Sequence, residues 1–388
     1  MTTVTIPPLK SKARITVIFL LYNASKTVKQ LTECILSQKH PDHDTQSEWL
    51  DVIFMDDCSK DSTLTLLHES LSATSLNPLA QVGELPAGYR IEPNPTNLGL
   101  SRTLNRAFDS VTTPYVLTCH CDCFFGDPFY VSQMLTLLEK YPKIGALTGQ
   151  QTIPQGKELP FAEKLNLITN LMDIFPPQTR EEILPVGFAE GRCDAFRMET
   201  LKAVGFYDTN LRLAGEDQVI AAKMRENGYQ VCQAPQLKYF LSVSDEQDSL
   251  QKLMRHQQLF GRAHPYILLR SRGTGAGVVG AQAGANRQSR TFLRVVQLMA
   301  SFIYFFSFAG IILGASAWVW ITPLFLVFIL KTLLFLRHFQ AVPLDFRQAL
   351  AFYAAQPLLD ISYSYGLCQG VWLLFRSSWR NSSNKPIS

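Results

Sequence analysis

Val295–Leu330 holds 36 residues and not one charged side chain, and no other feature restricts the fold as much. A single helix of that length would extend roughly 54 Å, against a hydrocarbon core of about 30 Å. Two helices folded at Gly314-Ala315-Ser316 satisfy both lengths. Arg287, Arg290 and Arg294 precede the run, Lys331 and Arg337 follow it, and the central turn is uncharged. The positive-inside rule then sets both ends on the cytoplasmic side. A second apolar stretch, Ala349–Phe375, carries only Asp360 and is interrupted by Pro357. A single crossing there would leave Arg376, Arg380 and Lys385 outside, against the charge rule, so a re-entrant or interfacial helix pair is expected over about 347–376. An intramembrane acid such as Asp360 is expected to be paired or functional.

Upstream of this region lies a basic strip. Lys252, Arg255, His256, Arg262, His264, Arg270 and Arg272 alternate with Leu250, Leu253, Met254, Phe260 and Ile267, a pattern suited to a helix on an anionic bilayer surface. A solvated basic helix packed on a domain is the blander reading of the same pattern. Gly273–Gly284, with five glycines, reads as a flexible linker. The net charge of +4 is too small to argue for nucleic acid. No basic segment followed by an apolar one opens the chain, so no cleavable signal is expected, and Met1–Ser11 reads as a loose lead-in. The eight cysteines are then read as reduced thiols.

The first half alternates short apolar runs with helical spacing. Arg14–Leu21 is a buried strand, Thr27–Ser37 a helix and Val52–Met55 a second strand, which together make a βαβ unit and predict a parallel, Rossmann-like sheet. The second strand ends in Asp51–Thr63, D-V-I-F-M-D-D-C-S-K-D-S-T. Polar residues at such a tip lie where open α/β sheets bind ligands. Helix capping explains Ser59, Asp61, Ser62 or Thr63, but it does not require the Asp56-Asp57 pair. Further on, Asn97-Leu98-Gly99 opens a helix carrying Arg102 and Arg106. Tyr115–Cys119 is another strand, running into His120-Cys121-Asp122-Cys123. Alternation would put the three thiols on one face and His120 with Asp122 on the other. A zinc site from Cys119, Cys121 and Cys123 is the rival reading, although alternate positions of one strand wrap a tetrahedral ion poorly. Helices are expected at Phe129–Tyr141 and Phe161–Met172, with a strand at Ile144–Gln151. Finally, Val186–Arg197 (V-G-F-A-E-G-R-C-D-A-F-R) leads to Gly215-Glu216-Asp217 and a helix over Gln218–Asn227. The acids suit a helix first turn, but the whole spacing suggests more.

These segments, in this order, resemble family 2 glycosyltransferases, with their V-D-D-x-S-x-D-x-T, N-x-G, D-x-D and G-E-D elements. The resemblance covers roughly Arg14–Arg262. Gln258-Leu259-Phe260-Gly261-Arg262, which lacks the Q-x-x-R-W tryptophan, and Tyr363-Ser364-Tyr365-Gly366 resemble the succinoglycan or exopolysaccharide glucosyltransferase branch. It implies a GT-A domain at 1–245, a basic interfacial helix and linker at 246–290, and a membrane domain at 291–388, its hairpin spanning about 295–336. It further implies an inverting hexosyltransferase at the cytoplasmic face of the cell (inner) membrane, anchored by several passes. The donor would be a nucleoside-diphosphate sugar, a UDP-sugar first among them, and the acceptor a lipid-linked saccharide, in polysaccharide or glycolipid synthesis. Asn23, Asp56, Asp57, Asn97, Gly99, Arg102, His120 and Asp122 would bind the donor. Asp122 with His120, here in place of the first carboxylate of D-x-D, would hold Mn²⁺ or Mg²⁺. Asp217 would be the catalytic base beside Glu216, with Gly191, Arg192 and Arg262 toward the acceptor. A catalytically silent, membrane-tethered scaffold or sensor that binds nucleotide sugars is the alternative, motivated by His120.

Overall fold

A computed structural model describes residues 13–72, 85–153, 158–172, 174–175, 181–189, 191–209, 215–241, 249–271, 285–314 and 316–383. The lead-in expected at 1–11 and the linker expected at 273–284 lie outside them. The chain divides into two compact units, one made of Met1–Pro154, Ile174–Arg212 and Glu216–Ser242, the other of Gln155–Asp173, Leu213–Gly215 and Val243–Ser388.

The first unit is a mixed α/β, Rossmann-like domain. Its strands are β1 (Ile15–Leu21), β2 (Leu50–Asp56), β3 (Tyr89–Pro93), β4 (Tyr115–His120), β5 (Cys123–Phe125), β6 (Ile144–Thr152), β7 (Leu184–Pro185), β8 (Cys193–Arg197) and β9 (Gln230–Leu241). They form one sheet in the order β3-β2-β1-β4-β8-β6-β9-β5, with β7 paired to β9. β3, β2, β1 and β4 are mutually parallel, as the βαβ reading requires; β8 runs antiparallel to both β4 and β6. The helices of this unit are α1 (Val28–Leu36), α2 (Thr63–Ser72), α3 (Leu100–Asp109), α4 (Tyr130–Lys140), α6 (Met198–Val204) and α7 (Glu216–Glu226), while α5 (Phe161–Thr169) belongs to the second unit.

Every residue of β1 is buried, which is why its sequence is continuously apolar rather than alternating. Val17, Phe19 and Leu21 enter one core with residues of α1, α2 and α4, and Ile18 and Leu20 enter the other with residues of α3, α6 and α7. Phe19 stacks on Phe54 at 5.3 Å; burying each such ring contributes about 1.5–3 kcal/mol. Covered on both faces, the sheet has its open carboxyl edge available for ligands.

The second unit is helical. It comprises α5, α8 (Leu250–Ser271), α9 (Ala285–Ile312), α10 (Ala317–Ala341) and α11 (Phe346–Ser383). Phe292–Ile312 and Ala317–Ala341 are long and apolar enough to cross a membrane, and they turn at Gly314, as the sequence predicts. Two expectations differ from the structure. The segment at 347–376 is one continuous helix rather than a pair, because Pro357 is accommodated inside α11. Sequence order puts Phe161–Met172 with the catalytic domain, whereas α5 packs with α10 and α11: Gln356 Nε2 donates to Thr169 Oγ1 (3.1 Å) and Lys164 Nζ to Pro343 O (3.0 Å). The basic helix α8 lies along α11 so closely that a β-carbon on Gly261 would strike the Tyr363 carbonyl and one on Gly366 the Gln258 carbonyl. Lys252, Arg255 and Arg262 remain on its exposed side.

Candidate donor-binding and catalytic edge

The Asp56–Thr63 motif is spent largely on building a rim. Asp56, 1% exposed, accepts from Ser59 N (3.0 Å) and Ser59 Oγ (2.5 Å). Ser59 Oγ in turn accepts from Asn23 N (2.9 Å), and Asn23 Oδ1 accepts from Lys60 N (2.9 Å). Asp61 accepts from Ser25 N (3.1 Å) and from Thr63, whose own hydroxyl accepts from Ala24 N (2.7 Å). The loop after β1 is thereby laced to the loop after β2. Burial alone would raise the Asp61 pKa, but the hydrogen bonds from Thr63 and Ser25 together hold it below its ordinary value.

Asp57 ties in a third loop. Its Oδ1 accepts from Leu98 N (2.7 Å) and Asn94 Nδ2 (2.8 Å), and its Oδ2 accepts from Gly99 N (2.9 Å). Asn97 Nδ2 donates to the Asp57 carbonyl (3.3 Å). The N-x-G segment and the Asp-Asp pair are therefore one structure, with the amides at the start of α3 gripping a carboxylate. Arg106 donates to Asn94 Oδ1 and Pro93 O and so serves the rim, whereas Arg102 is exposed on α3.

Register then brings the remaining motifs to the same edge. Leu21 pairs with Asp56 and Leu20 with His120, so Asp56 and His120 flank β1 two strand spacings apart, about 10 Å. β4 ends at His120 and the chain turns at Cys121-Asp122, which breaks the alternation expected through Cys123. Across from β4, His120 N donates to Arg192 O (2.9 Å). Next along, Gly191 lies under Asp217: a β-carbon at 191 would meet Asp217 Cβ at 3.4 Å. Asp57, His120, Asp122, Arg192, Gly191 and Asp217 thus follow one another along one side of the sheet. Arg262 is an exposed residue of α8, in the second unit.

The electrostatics differ among these groups. Burial and the Arg192 charge lower the His120 pKa against the opposing pull of Asp122, so the imidazole is neutral near pH 7. Its Nε2 is enclosed without a hydrogen-bond partner, the state in which a ring nitrogen can offer its lone pair to a cation. With Asp122 in the turn that follows His120, the donor set is one imidazole and one carboxylate, which fits Mn²⁺ or Mg²⁺ if diphosphate and water oxygens complete the shell. Among the described residues no three His, Cys, Asp or Glu side chains converge to hold an ion, which removes support from a zinc site. Cys119 and Cys123 are instead buried in the core, and burial drives the Cys123 thiol up to about 11. Glu216 Oε2 is enclosed without a hydrogen-bond partner, and burial raises its carboxyl pKa. Asp217 occupies the first turn of α7 and accepts from Gln218 N (2.7 Å).

One acid escaped the sequence reading. Asp194, the second residue of β8, is 1% exposed and accepts from Gly191 N (2.6 Å). A carboxylate between Cys193 and Ala195-Phe196, in a strand short of polar residues, is the signal that could find it.

Residues 16–205 match the family model described as Glycosyl transferase family 2. The chain carries a family 2 glycosyltransferase domain. Among solved structures, mannosyltransferase PcManGT from Pyrobaculum calidifontis, in complex with GDP-Man and Mn²⁺, superposes with a TM-score of 0.52 at 15% identity, over 95% of this chain and 90% of that one. This similarity establishes the GT-A fold of the family 2 domain. S. aureus TarS 1-349 (TM-score 0.44, 14% identity, 94% and 92% covered) and GalNAc-T7 with UDP, GalNAc and Mn²⁺ (0.45, 13%, 72% and 54%) are more distant. No curated protein sequence matches this chain.

Proposed function

We propose that this glycosyltransferase moves a hexose from a nucleoside-diphosphate sugar to a hydroxyl of a lipid-linked saccharide, with inversion, at the cytoplasmic face of the inner membrane. The observation that carries the proposal is the single edge on which Asp57, His120, Asp122, Arg192 and Asp217 follow one another within a family 2 domain. The Asn23–Ser25, Asp56–Thr63 and Asn97–Gly99 loops, laced together, would seat the nucleoside, with a UDP-sugar as first candidate. Arg102 and Arg192 would face the diphosphate as fixed positive charge. His120 and Asp122 would hold the divalent ion. When bound, Mn²⁺ or Mg²⁺ would neutralise charge on the departing diphosphate.

Asp217 would accept the proton of the acceptor hydroxyl as that oxygen bonds to the anomeric carbon and the bond to the nucleoside diphosphate breaks. One displacement by one base inverts the anomeric centre. Glu216, with its raised pKa, would carry less charge beside Asp217 than two ionised acids would. The inside-out character of the second unit supports a membrane-held acceptor. Lys331, Gln356 and Asp360 are buried, while Phe305, Phe306, Trp318, Leu333 and Phe375 are exposed. Confinement to the bilayer surface would supply proximity to a polyprenyl-linked acceptor. The tail resemblance extends the proposal to exopolysaccharide synthesis.

The test is Asp217→Asn in purified protein supplied with UDP-sugars, Mn²⁺ and membrane lipid extract. Transfer is expected to vanish while calorimetric binding of the donor persists. Transfer at the wild-type rate would remove Asp217 from the mechanism, and a wild type that neither transfers nor hydrolyses any sugar nucleotide would favour the silent scaffold.

A further inference from the structure

Asp194 stands where packing alone calls for an apolar side chain. Ala146, Ala189, Phe196, Tyr207 and Ile220 surround the same small space that Asp194 and Asp217 line, and placing an ionised carboxylate there is costly unless hydrogen bonds compensate. The compensation is specific: Asp194 Oδ2 accepts the Gly191 N–H at 2.6 Å. Gly191 has φ +73, a left-handed conformation that costs other residues energy. The backbone so held lies against Asp217, with a hypothetical β-carbon 3.4 Å from Asp217 Cβ and 3.9 Å from Cγ.

A second support comes from Tyr207. Its main chain is clamped by Asn105, which accepts from Tyr207 N (3.0 Å) and donates to Tyr207 O (2.9 Å). The Tyr207 ring shares the lining of that small space with Asp194 and Asp217; burial raises the phenol pKa, and the Asp194, Glu216 and Asp217 charges push it the same way.

We infer that Asp194 is a positioning residue for Asp217, holding Gly191 in the turn against which the Asp217 side chain rests. This inference depends on Asp217 being the base proposed above. A carboxylate displaced by about 1 Å from its reacting partner can cost on the order of 100-fold in rate, and Asp194, at 1% exposure, would act through the Gly191 turn.

The experiment compares Asp194→Ala, Asp194→Asn and Gly191→Ala in the full-length chain, each checked for wild-type melting. Asp194→Ala is expected to lower kcat by about 10- to 100-fold with donor KM within about two-fold. Asp194→Asn keeps an oxygen for the Gly191 N–H and is expected to restore kcat to within about three-fold of wild type. Gly191→Ala, which strains the turn and crowds Asp217, is expected to lose kcat without losing donor affinity. It keeps the inference testable if Asp194→Ala does not fold. A folded Asp194→Ala with wild-type kcat, an Asn variant as slow as Ala, or a Gly191→Ala variant at full rate would each overturn the assignment alone. A wild type that turns over no sugar nucleotide overturns the functional reading, and this assignment with it.

Discussion

Lys331 and Asp360 allow a sharp test of how the helical unit is held together. The ammonium lies 2.6 Å and 2.8 Å from the two carboxylate oxygens, with side-chain exposures of 3% and 0%. Gln356 Oε1 accepts from the same ammonium (3.0 Å) and Tyr304 OH donates to Asp360 (3.1 Å), so α9, α10 and α11 meet at this pair. At an effective dielectric constant of about 20 the gross attraction at 2.6 Å is roughly 6 kcal/mol, while desolvating the ions costs several kcal/mol each. The pair is thus close to energetically neutral against apolar residues of similar volume, yet each ion is costly alone. Asp360→Leu, which strands the ammonium, is expected to destabilise the unit by about 3–5 kcal/mol. The double variant Lys331→Met/Asp360→Leu is expected to recover most of that loss. Melting in detergent micelles, run as a double-mutant cycle, measures the coupling. Single variants costing under about 1 kcal/mol, or a double variant as unstable as the two singles added, would refute this account of the pair.

Three further outcomes follow from the first unit. Asp57→Ala strands the amides of Leu98 and Gly99 and the side chain of Asn94, so melting should report a loss of about 2–4 kcal/mol, with nucleotide binding lost as the 97–99 loop is released. Glu216 has a folded-state pKa above its ordinary 4.5. Its protonated form is favoured by folding, so that stability is present below pH 4.5 and is lost as pH rises through the folded value. Glu216→Gln should therefore melt higher than wild type near neutral pH, and the gain should shrink toward pH 4.5. Burial lifts the thiols of Cys34 to about 12 and of Cys123 and Cys232 to about 11, while Cys368 is exposed. Mass-spectrometric footprinting with an alkylating reagent should label Cys368 first and the other three only on unfolding.

The parallel half of the sheet was legible because its strands are covered on both faces and announce themselves as apolar runs. β1, β2 and β4 lie within a residue or two of their expected bounds. β9 was not legible. Its register with β6 slips between Gln233 and Lys238, where Pro235 removes a ladder donor, and a strand so interrupted carries no clean alternation. The short motifs at Asp56-Asp57 and His120–Asp122 lie at or just past the ends of β2 and β4, where their spacing put them. The roles of Ser59, Asp61 and Thr63 in lacing loops together are not visible in the sequence, because they depend on partners 36 to 39 residues away. Asp194 stands out in the sequence only as a carboxylate within a short strand, and its partner, the Gly191 amide, is visible only in the fold.

The third apolar helix shows the same limit and what resolves it. In the sequence Pro357 predicts a break, since it can donate no hydrogen bond to Tyr353 O and crowds that carbonyl. The helix continues because tertiary packing outweighs one missing bond: Phe352, Ala355, Leu359 and Tyr363 are buried on the inner face around it. That face also carries Gln356 and Asp360, both 2% exposed or less, while Leu350, Leu358, Ile361, Tyr365, Trp372 and Phe375 point outward. In water such a pattern is reversed, with acids outside and leucines in. In hydrocarbon it is favourable, because polar groups must find partners within the protein and apolar ones need none. At 38 residues the helix extends about 57 Å, nearly twice the hydrocarbon thickness of about 30 Å, so it does not fit as one upright crossing. α8 accompanies it through the Gly261 and Gly366 contacts and adds exposed Lys252, Arg255 and Arg262. A helix with an exposed apolar stripe, joined to a cationic partner, has the pattern that suits the headgroup layer of a bilayer.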